Sequence, residues 1–185
     1  MTNEEHDRLL IERVKQQDHA SFGVLIDKYK DQSLSLACSI LKDRTLAEDV
    51  LQDTFLQVYT KIGSFKYQSA FYTWLYRIVV NKCYNELRKK SRKEVEVEEL
   101  KLGEDYLSVE TDLQDRRTII QTALDSLKPD ESLVLRLFYL SELKTEEVAE
   151  VTNFSLSKVK VTLHRARKSL ATVLKEKFGK EIEEL

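Results

Sequence analysis

The sequence contains no run of about 18 apolar residues, the length a helix needs to span a membrane. Its opening segment, MTNEEHDRLL, has no apolar core of the kind that defines a secretory signal peptide. Proline occurs once and glycine four times among 185 residues, so strong helix breakers are rare. Hydrophobic residues make up 42% and charged residues 34%, which suits helical cores under a polar surface. We therefore expect a soluble, cytoplasmic, all-α protein without membrane insertion.

Cysteine is also scarce. Cys38 and Cys83 lie far apart in the sequence and belong to no cluster of His and Cys. We expect both to be small core residues, with a disulfide or a metal site as the alternative. The sequence shows no phosphate-binding loop, metal cluster or paired nucleophile and base, so we expect no catalytic residue, no metal and no cofactor.

The sequence also lacks a large excess of basic charge, since its net charge is −2. This value argues against a uniformly basic protein that coats nucleic acid. The charges are instead segregated along the chain. Residues 82–93 carry six Lys and Arg against one Glu, residues 94–115 carry nine Asp and Glu against one Lys, and residues 151–175 carry no acid. Two basic zones around an acidic connector suggest two nucleic-acid contacts on separate modules.

Residues 141–170 have the pattern of two short helices joined by a tight turn. Thr145 is placed to cap the first helix and Ser155 the second, and Asn153 suits a left-handed turn between them. One apolar stripe with helical spacing runs along the second helix: Leu156, Val159, Leu163, Ala166, Leu170 and Val173. Side chains off this stripe are mostly basic or polar, which is typical of the recognition helix of a helix-turn-helix.

Lys158 is unusual because it follows the Ser155 cap by three residues, where Glu or Gln is preferred. A cation in the first turn opposes the helix dipole at a cost of up to about 1 kcal/mol. A DNA phosphate at this end of the helix would offset that cost, so we favour DNA binding. The alternative is an amphipathic hairpin whose basic face is only solvated.

The N-terminal half predicts four helices, the first two at about 9–16 and 19–41. The third begins at the sequence TLAE, where Thr45 and Glu48 have the spacing of a capping box. Its apolar face is predicted to consist of Ala47, Val50, Leu51, Phe55, Val58 and Ile62.

The outer face of this third helix is rich in carboxylates, with Glu48, Asp49 and Asp53. No nucleophile or histidine accompanies them, so catalysis is not expected. We favour a protein-docking face, with a merely solvated acidic face as the alternative.

Residues 65–90 concentrate aromatic and basic side chains in a loop and the helix that follows it. Aromatic rings stack on unpaired bases at about 1–3 kcal/mol each, and cations follow the phosphate backbone, so this segment suits melted DNA. For Tyr67, Gln68 and Tyr72 we favour base contact over burial. Three further aromatic residues have burial in the core as their alternative: Phe71, Trp74 and Tyr76.

Taken in order, three segments resemble the extracytoplasmic-function sigma factors, the two-domain minimal members of the bacterial sigma-70 class. They are AEDVLQDTFLQVY (47–59), FKYQSAFYTWLYRI with the following Asn81 (65–81), and EEVAEVTNFSLSKVKVTLHRARKSL (146–170). The resemblance covers nearly the whole chain. It implies a dissociable subunit without catalytic activity that directs core RNA polymerase to promoters.

The resemblance also implies roles by position. The segment that docks on a coiled coil of the polymerase β′ subunit corresponds here to Glu48, Asp49, Gln52, Asp53 and Leu56. The segments that melt, read and hold the −10 element correspond to Lys66, Tyr67, Gln68, Ser69, Tyr72, Trp74, Arg77, Asn81, Lys82 and Arg88. The helix that reads the −35 element corresponds to Ser157, Lys158, Lys160, Val161, Thr162, His164, Arg165 and Lys168. Other implied partners are the polymerase β flap, promoter DNA and an anti-sigma factor, either soluble or in the membrane.

The loop departs from the family pattern, which usually reads F-R-G-E-S-S-F-R-T-W-L. Tyr67 stands where Gly is usual, Gln68 where an acid is usual, and Tyr72 where Arg is usual. Asn153 likewise replaces a turn Gly, although Asn tolerates that conformation. The preferred promoter sequence therefore does not carry over.

We predict two small helical domains, a sigma2-like domain of four helices at 1–91 and a sigma4-like helix-turn-helix domain at 117–185. A flexible acidic linker at 92–116 joins them, and the second domain opens with helices at 118–127 and 133–140. A stand-alone helix-turn-helix regulator and a helical adaptor or inhibitor remain as other functions. The stand-alone regulator leaves the aromatic loop and the acidic face unexplained.

Overall fold

A computed structural model describes the backbone of residues 3–94 and 112–183 and the side chains of residues 3–90 and 118–177. Every regular element within these ranges is helical. In chain order the elements are α1 (Asn3–Lys15), α2 (His19–Leu41), α3 (Arg44–Lys61), a 3-10 turn (Ile62–Ser64), α4 (Phe71–Glu94), α5 (Asp112–Asp125), α6 (Pro129–Leu135), a π-helical turn (Arg136–Leu140), α7 (Thr145–Thr152) and α8 (Leu156–Glu183). The all-α prediction is confirmed, and the chain divides into an N-terminal and a C-terminal compact unit.

Helix α2 is the centre of the N-terminal unit, because α1, α3 and α4 all pack against it. Its buried positions recur every three or four residues and form one continuous stripe. The stripe includes Ser21, Leu25, Tyr29, Ser33, Leu36 and Ile40. Helix α4 contributes Leu75, Val79 and Val80, each at most 1% exposed. Each such Leu or Val side chain stabilises the fold by about 1.5–3 kcal/mol.

Helix α1 begins earlier than the expected start near residue 9, and Asp7 explains the difference. This carboxylate is 2% exposed and accepts hydrogen bonds from the Lys28 ammonium and the Tyr29 hydroxyl. A buried carboxylate is tolerated when it is paired in this way. Burial and the bond to Asp7 hold the pKa of Tyr29 well above its usual range, so its hydroxyl remains a donor. The first turns of α1 are thus held by contacts to α2 that its polar sequence does not suggest.

The predicted capping box of α3 is wrong. The helix begins at Arg44, and the carboxylate of Asp43 caps it by accepting the N–H of Leu46 at 3.0 Å. Glu48 does not bond to the backbone at the start of the helix. Its carboxylate instead lies 2.9 Å from the Nε of Arg44, one turn earlier in the helix. Asp43 is the better cap because its short carboxylate already lies in an extended backbone next to the helix.

The predicted bounds of α2, 19–41, are confirmed. Helices α4 and α5 each extend a short way into the predicted linker at 92–116, to Glu94 and from Asp112. The rest of that linker lies outside the described residues.

In the C-terminal unit, α5, α6 and α8 pack on one another. The expected helix at 133–140 is interrupted, because α6 ends at Leu135 and a π-helical turn follows. Arg136 opens this turn and is 2% exposed. Its guanidinium donates to Gln121 at 2.6 Å and to Asp125 at 3.1 Å, so this buried cation ties α5 to the turn.

The predicted helix-turn-helix is present, formed by α7 and α8. Asn153 has φ 58° at the turn, and Ser155 caps α8 by accepting the N–H of Lys158 at 3.2 Å. Thr145 is not a cap, because it is already the first residue of α7. The N-terminal end of α7 is held instead by Glu147, whose carboxylate accepts the N–H of Lys144. Leu156 was expected on the apolar stripe but is 37% exposed, since it lies in the first turn of α8.

Replacing Asp43 with Ala removes the α3 cap and is expected to lower the free energy of unfolding by about 1 kcal/mol. Thr45→Ala is the matched control and is expected to change it by less than about 0.5 kcal/mol. Trp74 is the single tryptophan, so urea unfolding followed by its fluorescence reports on the N-terminal unit. An equal loss in the two variants would contradict the assignment of the cap.

Candidate nucleic-acid and protein interfaces

Three aromatic rings cluster where the loop at 65–70 meets α4. The ring centroids of Phe65 and Trp74 lie 4.9 Å apart, and those of Phe71 and Trp74 lie 5.9 Å apart. Phe71 is 4% exposed and Tyr76 is 1% exposed, so both are core residues. Trp74 is half-buried and keeps part of its indole accessible.

The other predicted residues of the loop and of the start of α4 are polar and at least partly accessible. Lys66 and Gln68 are exposed, while Ser69 and Tyr72 are half-buried. The Tyr72 ring centroid lies 6.4 Å from that of Tyr76, at the start of α4. The structure thus places Lys66, Gln68 and Ser69 in the loop and Tyr72 in the first turn of α4, the helix that also carries Trp74.

Tyr67 differs from its neighbours because its side chain turns to α1. Its hydroxyl donates to Glu12, and the Lys15 Nζ lies 4.5 Å from its ring centroid. Its backbone is left-handed, with φ 57°. Sequence reasoning missed these α1 partners, although a tyrosine where the family has glycine was a signal that something unusual holds the loop.

The basic residues of α4 continue from the loop along the helix. Arg77, Asn81 and Arg88 are spaced by whole turns and share one face. Asn81 and Arg88 are exposed, and Arg77 and Lys82 are half-buried. The Lys82 Nζ lies 3.9 Å from the Asp53 Oδ2 of α3, so the basic side of α4 borders the acidic side of α3.

The predicted docking residues of α3 all lie on its solvent face. Glu48, Asp49, Gln52 and Asp53 are exposed, and Leu56 is 61% exposed. Leu56 is therefore an accessible apolar side chain beside exposed carboxylates. The structure brings these five residues together on successive turns of one helix.

The predicted reading face of α8 points away from its packing partners. Val159, Leu163 and Ala166 are buried, each at most 4% exposed, while α8 packs on α5 and α6. Thr162 is half-buried. The other predicted residues are exposed: Ser157, Lys158, Lys160, Val161, His164, Arg165 and Lys168.

Lys158 has partners within its own unit. Its Nζ lies 3.0 Å from the Asp130 Oδ2 of α6 and 3.3 Å from the centroid of the Phe154 ring. These contacts supply the negative charge that the sequence argument assigned to a DNA phosphate, so that argument was incomplete. Nothing in the sequence marked Asp130 as the partner.

The part of the chain with described side chains contains no group of three or more His, Cys, Asp or Glu arranged to hold a metal ion. Among the described helices, none is both long and apolar enough to cross a membrane.

Two family models match the chain, Sigma-70 region 2 over residues 25–93 and Sigma-70 region 4 over residues 117–170. The RNA polymerase sigma-H factor of Pseudomonas aeruginosa is 30% identical over 94% of this chain and 96% of its own. The ECF RNA polymerase sigma-E factor of Haemophilus influenzae is 31% identical over 89% of this chain and 93% of its own. The chain belongs to the extracytoplasmic-function sigma factors.

A solved structure agrees with this identification. The sigma factor RpoE in complex with the anti-sigma factor NepR from Bartonella quintana is 25% identical and covers 83% of this chain and 96% of its own, with a TM-score of 0.71. The sequence-based prediction of function is confirmed. This sigma factor is a subunit that directs RNA polymerase in transcription initiation, and it is not an enzyme.

The two thiols of the sigma factor take no part in the surfaces described above. Neither is in a disulfide, and Cys83 is buried while Cys38 is half-buried. Burial, with a smaller contribution from the neighbouring Cys38, raises the pKa of the Cys83 thiol to about 12. Since the thiolate is the reactive form, we expect Cys83 to react slowly at neutral pH.

Alkylation with iodoacetamide at pH 8 tests this assignment. The raised pKa leaves Cys83 protonated at pH 8, so we expect it to react far more slowly than free cysteine in the native protein and at the normal rate in 8 M urea. Cys38 serves as the internal reference, and mass spectrometry of the digested protein separates the two sites. Native Cys83 reacting as fast as free cysteine would contradict its burial.

Proposed function

We propose that the sigma factor divides promoter recognition among three surfaces. The acidic face of α3 docks on the β′ coiled coil of core polymerase, the aromatic loop with α4 melts and holds the −10 element, and α8 reads the −35 element. The observation that carries this division is the opposite charge of the outer faces of α3 and α4, two adjacent helices of one unit. One face suits a protein and the other suits a phosphate backbone.

The docking role of α3 is supported by the accessibility of Leu56 beside exposed carboxylates. A leucine surrounded by charges can bury apolar area in an interface while the charges steer the approach of a basic partner. The contact residues in this proposal are Glu48, Asp49, Gln52, Asp53 and Leu56.

The role of the loop and α4 is supported by the accessible polar side chains of the loop and by Trp74, which is only half-buried. In this proposal Lys66, Gln68, Ser69 and Tyr72 contact unstacked bases together with Trp74, and the cations of α4 follow the strand. Arg77, Asn81, Lys82 and Arg88 provide the contacts to the backbone in this proposal. Tyr67 belongs to the same loop, although its side chain faces α1.

The role of α8 is supported by its exposed polar face opposite a buried apolar one. A helix of this kind can place side chains on base edges while its own unit holds it in the major groove. Arg165 and His164 lie at the centre of this face, and Lys158 lies at its N-terminal end.

The proposal also includes further partners of the protein and its location in the cell. The C-terminal unit would also contact the polymerase β flap, and a linker at 92–116 would join domains at 1–91 and 117–185. An anti-sigma factor would hold the protein inactive, as the complex of the solved relative with NepR suggests. Core polymerase and promoter DNA as partners imply a cytoplasmic location.

Asp53→Lys places a cation in the acidic face and is expected to weaken binding to core polymerase by about tenfold or more, because it reverses the charge at the contact. Asp31→Lys on α2 makes the same charge change at an exposed site away from that face and is expected to leave binding intact. Titration of a fluorescently labelled sigma factor with core enzyme gives both affinities. Unchanged affinity in the Asp53 variant would remove α3 from the interface.

Arg165→Ala is expected to weaken holoenzyme binding at a −35 element by about 1–3 kcal/mol, which is about 5- to 150-fold, because it removes a side chain from the reading face. Lys158→Ala should have a smaller effect, since this lysine already pairs with Asp130. Gel-shift measurements on a promoter that the holoenzyme transcribes report the two affinities, with core binding as the control. A larger loss for Lys158 than for Arg165 would contradict the assigned geometry.

A further inference from the structure

Tyr67 occupies a backbone conformation that large side chains rarely adopt. Its φ of 57° lies in the left-handed region, which glycine enters without strain and a tyrosine does not. Strained residues of this kind persist when the surrounding contacts hold them in place. Tyr67 contacts α1 and also the loop residue Phe65, whose ring centroid lies 5.0 Å from its own.

Three α1 side chains on one helical face surround the tyrosine. The Glu12 carboxylate accepts the hydrogen bond of the Tyr67 hydroxyl. The Lys15 Nζ donates to the Phe65 carbonyl at 3.3 Å and lies 3.4 Å from the Tyr67 oxygen. The Arg8 guanidinium carbon lies 5.1 Å from the ring centroid, within range of a cation–π contact.

The same contacts fix the charge states that they require. Hydrogen bonds from Tyr67 and then Lys15 lower the pKa of Glu12, so the acceptor is ionised at neutral pH. Burial and the bond to Glu12 raise the pKa of Tyr67, so the donor keeps its proton. Lys15 also pairs with Glu12 at 3.1 Å, which orients both partners towards the loop.

We propose that α1 is a positioning element of the promoter-reading loop, with Arg8, Glu12 and Lys15 clamping Tyr67 and thereby fixing the backbone that presents Lys66 and Gln68. Tyr67 is then a positioning residue rather than a base-stacking one, in contrast to the expectation from sequence. Helix α1 lies outside the Sigma-70 region 2 match, which begins at residue 25. The inference rests on the proposed role of the loop at the −10 element.

The clamp is tested with variants on both sides of the hydrogen bond. Glu12→Leu removes the acceptor, Tyr67→Phe removes the donor, and Glu12→Gln keeps a neutral acceptor. Because Glu12 is on the surface, none of its variants is expected to disturb folding, and Trp74 fluorescence checks this. Arg13→Leu, at another exposed α1 position, is the matched control.

The first readout is hydrogen exchange of the loop amides in the free protein, which does not depend on the role of the loop in transcription. We expect Glu12→Leu and Tyr67→Phe to speed exchange at residues 65–70 several-fold, Glu12→Gln to do so less, and Arg13→Leu not at all. Unchanged loop exchange in Glu12→Leu would overturn the clamp.

The second readout is the rate of open-complex formation by the reconstituted holoenzyme on a duplex promoter. We expect about three- to tenfold slower opening for Glu12→Leu and for Tyr67→Phe. The double variant should open no more slowly than either single variant, because both changes break the same hydrogen bond. Slower opening for Tyr67→Phe alone, or additive losses in the double variant, would identify Tyr67 as a direct DNA contact and overturn the inference.

A variant of the loop itself tests the proposed role of the loop at the −10 element independently of the clamp. Lys66→Ala combined with Gln68→Ala removes the side chains that the clamp presents and leaves the clamp itself in place. Normal opening in this variant would reject the role of the loop at the −10 element. Slow opening with unchanged loop exchange would support that role, and the Glu12 variants then decide the clamp.

Discussion

Helix α4 buries Leu75, Val79, Val80 and Cys83 against the rest of the N-terminal unit, and this burial determines which of its residues can face DNA. With one side of the helix committed to the core, Asn81 and Arg88 are left on the outside. Helices α3 and α8 follow the same rule, since their apolar faces lie inward and their charged faces lie outward. The surfaces proposed for polymerase and promoter are the outer halves of helices that the hydrophobic effect has oriented.

Part of the positive charge on these surfaces is compensated by carboxylates of the protein itself. Lys82 lies near Asp53, and Lys158 pairs with Asp130, so part of the basic charge is already compensated. A chain with a net charge of −2 also lacks the overall attraction that supports tight nonspecific DNA binding. Both properties suit a subunit whose DNA affinity depends on assembly with polymerase.

Features set by neighbours along the chain could be predicted from the sequence. The bounds of α2, the left-handed Asn153 and the Ser155 cap follow from periodicity and local backbone chemistry, and the order of the motifs indicated the family. Features set by residues distant in sequence could not be predicted in the same way. The start of α1 depends on Asp7 meeting α2, the pairing of Lys158 depends on Asp130, and the conformation of Tyr67 depends on Glu12. The cap of α3 depends only on neighbouring residues and could have been predicted. Asp43, two residues before Thr45, is the residue that forms it.

Run-off transcription by purified core polymerase on promoter fragments, with and without the full-length protein, tests the central claim most directly. The account predicts transcripts from a defined set of promoters only when the protein is added, and no tight binding of duplex promoter DNA by the protein alone. Tight binding to duplex DNA without polymerase, together with no change in the transcripts made by core enzyme, would contradict it.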